Sequence, residues 1–362
     1  MRPRRWRSQR RWPLSSALSL LLFIVCLQPA GAQAAPYEGL PLHWRRWLFV
    51  YAGGEGRPAY SKDDFLKLLT SRDSRGQPRG RLFDGALFSE LSRAGRSFSP
   101  LFSPKPATGD DWRWYLDTLF SDNGFLTSLD SAAGLLSQKG VLKGSLGVSV
   151  MIPYPFAMRD SLWYDGELFV VNRGSAGQIS AARRYVEDLS NHFRGWRYKY
   201  LSPVGMYWLV EDAKGSDTLL IREVASVVHS QGFLFFWVPY YNAPGRDTWK
   251  ELGFDVAWLQ PDYMFYPQVP PQRLDSAVML AFKGGLGIDL EIDHKIFADS
   301  VFRQRFAPYL TMLEAHPEAL RGPLSVYDDA GMLLKLADSK DPYLRDQYAR
   351  FVRLMLAAGR QP

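Results

Sequence analysis

Gly287-Ile288-Asp289-Leu290-Glu291-Ile292-Asp293 is the stretch on which the fold class turns. Its alternation has the period of a β-strand, with Ile288, Leu290 and Ile292 on one face and Asp289, Glu291 and Asp293 on the other. The aliphatic face suits packing against helices. Three unpaired carboxylates are costly to bury, so the acidic face must look into a polar space, as the inside of a barrel does near its mouth. A helical pattern follows over 299–315. The same strand-then-helix unit recurs in both directions along the chain.

Strand-like runs lie at 47–51, 82–88, 147–153, 205–211, 233–239, 256–260, 287–293 and 323–328. Helical patterns lie at 63–70, 111–120, 126–138, 178–193, 218–230, near 248–252, and at 273–282, 299–315 and 343–358. Several runs are too apolar to alternate, as strands covered on both faces are. Eight strands each followed by a helix predict an α/β fold, a single (β/α)8 TIM barrel over residues 35–362. An open doubly wound sheet would need fewer strands.

The 362 residues are 46% hydrophobic and 22% charged, which supports a large core and excludes a disordered chain. The formal net charge of +7 is concentrated at the amino end. Arg2, Arg4, Arg5, Arg7, Arg10 and Arg11 fall within residues 1–34, which hold no Lys, Asp or Glu. The remainder is close to neutral, so no nucleic-acid partner is implied. Residues 1–34 read as a signal peptide. An arginine-rich start is followed by an apolar run at 18–27 and by small-x-small sites at Ala30-Gly31-Ala32 and Ala32-Gln33-Ala34. The run is shorter than the ~20 residues a membrane span needs, so a periplasmic or secreted protein without stable membrane insertion is expected. Cys26 is the only cysteine, which leaves the mature chain no disulfide and no thiol nucleophile.

In such barrels the chemistry sits at the carboxyl ends of the strands. Glu211 ends the fourth run and Glu291 lies near the end of the seventh. Two carboxyls so placed match a glycosidase in which one protonates the glycosidic oxygen and the other attacks the anomeric carbon. Glu211 is expected to be the acid/base and Glu291 the nucleophile, with Asp289 or Asp262 as a supporting or substitute carboxylate. Tyr51, Tyr154, Tyr240, Tyr241, Asn242, Gln260, Tyr263 and Tyr327 also end runs, and their rings and polar groups suit a polysaccharide or oligosaccharide. Asp84, inside the second run, is expected to face the barrel interior and join them. Trp208, Trp237 and Trp258 lie in mid-strand and are expected in the core.

The chain resembles the DUF4855 family of bacterial proteins over nearly all of the mature sequence. The matching stretches are Phe83-Asp84-Gly85-Ala86-Leu87-Phe88, Asp111-Trp112-Arg113-Trp114-Tyr115-Leu116, Ile152-Pro153-Tyr154-Pro155 and Val204-Gly205-Met206-Tyr207-Trp208-Leu209-Val210-Glu211. Phe236-Trp237-Val238-Pro239-Tyr240-Tyr241, Trp249-Lys250-Glu251-Leu252-Gly253-Phe254-Asp255, Gln260-Pro261-Asp262-Tyr263 and Gly287-Ile288-Asp289-Leu290-Glu291 complete the set. The resemblance implies a glycoside-hydrolase-type barrel and carries over Glu211 and Glu291 as candidate acids. Asp289 departs from an expected Glu, and Asp262 stands where Asn is common.

Two other readings stay open: a sugar-binding barrel without catalysis, and a metal-assisted barrel enzyme. Asp262, Asp289, Glu291 and Asp293 offer hard oxygen ligands to Mg²⁺ or Ca²⁺, although nothing in their spacing fixes a site, and no metal is assigned. The five histidines show no zinc-ligand pair. Gly54-Glu55-Gly56-Arg57-Pro58-Ala59 matches a dinucleotide fingerprint only formally, because Pro58 disrupts the turn into a helix. No cofactor is expected.

Overall fold

The computed structural model describes residues 44–156, 160–215 and 217–359. The signal peptide read at 1–34, with Cys26, lies outside the described residues. Eight parallel strands close into a barrel: β1 (Arg46–Tyr51), β2 (Gly85–Ser89), β3 (Leu146–Ile152), β4 (Leu201–Trp208), β5 (Leu234–Trp237), β6 (Val256–Leu259), β7 (Gly287–Ile292) and β8 (Leu324–Asp328). They are hydrogen-bonded in chain order, and β8 closes on β1. Each corresponds to one of the eight runs expected.

Helices cover the outside: α1 (Lys62–Leu69), α2 (Gly109–Phe120), α3 (Phe125–Gln138), α4 (Ala176–Arg194), α5 (Asp217–Ser230), α6 (Gln272–Gly284), α7 (Ser300–Ala315), α8 (Pro317–Arg321), α9 (Met332–Ala337) and α10 (Pro342–Ala358). Sequence punctuation sets their starts. Ser61 with Asp64 and Thr108 with Asp111 form capping boxes that satisfy amides of the first turns of α1 and α2. Between β5 and β6 the expected helix near 248–252 is a 3₁₀ turn at Arg246–Thr248. Gly245 and Gly253, both with positive φ, close the segment on either side. Among the described residues no helix is long and apolar enough to cross a membrane.

Aromatic rings plug the barrel at its amino end. Trp47, Phe236 and Trp258 meet with ring centroids 5.1, 5.4 and 6.1 Å apart, and all three are fully buried. Glycines opposite them make the room. A Cβ at Gly85 would lie 2.8 Å from the Trp47 ring, and one at Gly287 would lie 2.6 Å from Trp258. Higher up, Phe49 packs on Tyr207 at 5.2 Å. At the mouth, Tyr51 packs on Tyr327 at 5.6 Å. The interior therefore grades from aromatic floor to polar mouth. Trp208, Trp237 and Trp258 are all core residues, each fully buried.

The floor corrects one expectation. Asp84 precedes β2 rather than lying within it, so it sits at the amino end, away from the mouth. Its carboxylate is paired with Arg46 at 2.6 Å and with Arg81 at 2.8 Å. It also accepts the backbone N–H of Arg46 at 2.9 Å. Fully engaged on the far side of the plug, Asp84 is not a substrate contact.

Candidate active site

The carboxyl ends of the strands gather most of the predicted polar residues. Glu211, three residues beyond β4, is half-buried at the mouth. Gln260, just past β6, donates from Nε2 to Glu211 Oε1 at 3.0 Å and to the Val238 carbonyl at 3.3 Å. Burial raises the Glu211 pKa, and the charges of Asp262, Glu291 and Asp212 add to it. Against the hydrogen bond from Gln260, they push it up to about 7.

Tyrosines surround this carboxyl. The Tyr51 and Tyr327 rings meet edge-on at 5.6 Å, and Tyr207 lies beneath within reach of the Glu211 charge. Tyr240, half-buried, follows β5 and is aligned with Gln260 by a parallel bridge. Tyr241 carries the Arg273 guanidinium over its ring at 4.0 Å, and Asn242 is exposed in the same turn. Tyr154 at the end of β3 is buried. Its hydroxyl donates to Asp217 at 2.7 Å, which also pairs with Arg173 at 2.7 Å. Tyr154 and Asp217 help line a cavity of about 350 Å³ that reaches Asp212 and Lys214 beside Glu211.

Three expected site residues have other work. Asp289 is 1% exposed, below the mouth, and accepts a hydrogen bond from the Ser325 hydroxyl. It is out of a substrate's reach, and burial holds its pKa well above the usual carboxylate range. Tyr263 is 2% exposed and turned into the helical layer, with the Arg305 guanidinium 3.7 Å over its ring and Tyr309 edge-on at 5.6 Å. Glu291 is fully buried. Its Oε1 accepts the Asp262 N–H at 2.9 Å, and its Oε2 accepts the N–H groups of Tyr263 at 3.1 Å and Met264 at 3.0 Å. The Tyr309 hydroxyl also donates to Oε2. Burial pushes the Glu291 pKa up to about 7 against these donors. The amides can only donate, so they favour the ionised carboxylate. With one donor on Oε1 and three on Oε2, this fully buried carboxylate is engaged by the turn after β6 and by α7 rather than standing open at the mouth, where the nucleophile was expected.

The sequence reading missed one network. Arg57 lies over the Tyr51 ring at 4.1 Å, with Nε 3.5 Å from Glu90 and Nη1 3.5 Å from Asp329. Glu90, buried just past β2, accepts the Gly54 N–H at 3.0 Å. Gly54 therefore serves this carboxylate: a Cβ there would lie 2.3 Å from it. Asp329 also receives His294 Nδ1 at 2.7 Å. Asp293, His294 and Asp329 bring one ligand atom each within 4.8 Å of one another. Of the four acids the sequence offered to a metal, Asp293 alone belongs to this group. Asp289 and Glu291 are committed to the contacts above, and Asp262 lies against Tyr241 and Arg273.

The sequence model of the family described as "domain of unknown function (DUF4855)" matches residues 46–353. No curated protein matches the chain. Among solved structures, an endo-β-1,4-mannanase double mutant from Cellulomonas fimi is similar at 14% identity, over 88% of this chain and 74% of that one, with a TM-score of 0.42. A GH18 chitinase from Pseudoalteromonas aurantia is similar at 8% identity, over 84% and 99%, with a TM-score of 0.42. A mutant tryptophan synthase α-subunit from Pyrococcus furiosus is similar at 10% identity, over 86% and 97%, with a TM-score of 0.39.

Proposed function

The chain belongs to the DUF4855 family, and from that premise we propose that it is an exported glycoside hydrolase acting on a polysaccharide. One observation carries the reading: Glu211 is a carboxyl at the mouth of a closed barrel with its pKa pushed up to about 7. A general acid works best with a pKa near the working pH, and an ordinary glutamate at ~4.3 would have surrendered its proton. Cleavage by this route needs a second carboxylate to attack or to activate water, and the charges of Asp262 and Glu291 both act on Glu211. Tyr240 and Tyr241 offer ring faces and hydroxyls to a pyranose, with Tyr51 and Tyr327 beside them.

The test is a reducing-end assay. The chain from residue 35 onward is incubated with a panel of bacterial exopolysaccharides and cell-envelope glycans. Release from one of them is expected; binding without release would instead mark a sugar-binding barrel. Export is read from the arginine-rich start and apolar run, and amino-terminal sequencing of the protein recovered from the periplasm or medium is expected to begin after Ala32 or Ala34. An intact amino terminus there would contradict it.

The pH profile has a defined sign. Glu211 must hold its proton to act, so kcat/KM is expected to fall as pH rises through about 7. Gln260→Leu removes the N–H donor that favours the carboxylate form, so that limb should move upward by several tenths to ~1 pH unit. A downward shift would detach the limb from Glu211. A metal-assisted reaction has the Asp293–His294–Asp329 group in its favour. Activity abolished by EDTA and restored by Mg²⁺ or Ca²⁺ would select it.

A further inference from the structure

Glu291 accepts three consecutive amides, and what they belong to matters. They are the N–H groups of the turn that leaves β6. The carbonyl side of the same turn is held by Arg305, which is 6% exposed. Its guanidinium donates to the carbonyls of Tyr263 at 3.0 Å, Tyr266 at 2.9 Å, Pro267 at 3.2 Å and Val269 at 2.9 Å. Arg305 and Tyr309 lie four residues apart on α7 and so present one face to the turn. A buried anion on the amides and a buried cation on the carbonyls clamp it from both sides.

The turn begins at Asp262, whose φ is +54°. The left-handed region crowds the Cβ of an L-residue and is entered most readily by Gly, Asn and Asp. Strain of this kind persists where the surroundings over-determine it, as Glu291 and Arg305 do here. The clamp leaves the Asp262 side chain half-buried, against the Tyr241 amide and near Arg273. Its charge leads the three that raise Glu211. Asn would fit the same backbone without the charge, so the carboxylate is a property of this sequence.

We propose that Asp262 is the second catalytic carboxylate, working with Glu211, and that Glu291 is a positioning residue that holds the turn presenting it. The proposal rests on the glycosidase reading. Glu211 gives its proton to the glycosidic oxygen as the bond from that oxygen to the anomeric carbon breaks, and the bonding pair leaves with the oxygen. The replacing electron pair comes from Asp262, directly or through a water that Asp262 deprotonates. In the direct route water later displaces Asp262 and returns a proton to Glu211.

The experiment uses the polysaccharide that the unaltered chain cleaves. Asp262→Asn and Asp262→Gly both keep a residue at ease in the left-handed region, so melting temperature should hold while turnover falls at least ~100-fold. With Asp262→Gly, added azide should restore cleavage and yield a glycosyl azide. Glu291→Ala should lower both turnover and melting temperature, and azide should give no glycosyl azide. A glycosyl azide from Glu291→Ala, or turnover within ~10-fold of the parent in Asp262→Asn, overturns the assignment and leaves the glycosidase reading standing. No cleavage by the parent removes both.

Discussion

Glu211→Gln is expected to lower turnover by ~10²–10⁴-fold while substrate binding stays within a few-fold. The replacement keeps shape and an oxygen for the Gln260 donor, and it removes the proton that must reach the glycosidic oxygen. A second consequence concerns stability. The Glu211 pKa rises from 4.5 to about 7 on folding. Between those values the folded chain holds a proton that the unfolded chain has lost, so stability declines as pH rises through that window. Glutamine does not titrate and escapes the decline. The variant should therefore melt higher than the parent at pH 8, with the difference vanishing toward pH 4. Thermal melts across that range check it, and a variant that melts lower at pH 8 would mean the carboxylate is stabilised, not strained, at the mouth.

Arg46→Met is expected to cost ~3–5 kcal/mol, the range for removing one partner of a buried ion pair. Arg46 and Asp84 are almost fully buried, and the guanidinium also donates to the carbonyls of Arg81 at 2.9 Å and Met355 at 2.8 Å. It therefore ties α10 to the barrel floor. Methionine keeps part of the stem's packing but leaves Asp84 to Arg81 and the backbone, and leaves the Met355 carbonyl with only the Gly359 N–H at 3.2 Å. The urea midpoint should fall with the slope unchanged. Because the floor lies across the aromatic plug from the mouth, turnover per folded molecule should be unaffected. A loss below ~1 kcal/mol, as for an exposed pair, would contradict the assignment of this pair to the buried floor.

The barrel was legible because its strands are marked by composition and its helices by period, and all eight strand-like runs pair as expected. The candidate site was legible only in part. Alternation in Gly287–Ile292 puts Asp289 and Glu291 on one face of the strand, but it carries no information about what fills the space they enter. Ser325 meets Asp289, and the amides of residues 262–264 meet Glu291. Those contacts come from another strand and from a turn whose positive φ has no strong mark in the sequence, since Asp adopts it only at times. Asp84 was misplaced by a boundary: the run began at Leu82, whereas the strand begins at Gly85. Arg57 and Glu90 are far apart in the chain, and their one local signal, the glycines at 53, 54 and 56, resembled a nucleotide loop more than a close approach to a carboxylate.

Cleavage carried out in water enriched in oxygen-18 is the most direct test of glycoside hydrolysis. Mass spectrometry of the products should show one heavy oxygen at each new reducing end, because water or its hydroxide completes the break at the anomeric carbon. Unlabelled products carrying an unsaturated terminal sugar, lighter by one water, would show elimination instead and would contradict the two-carboxylate hydrolysis.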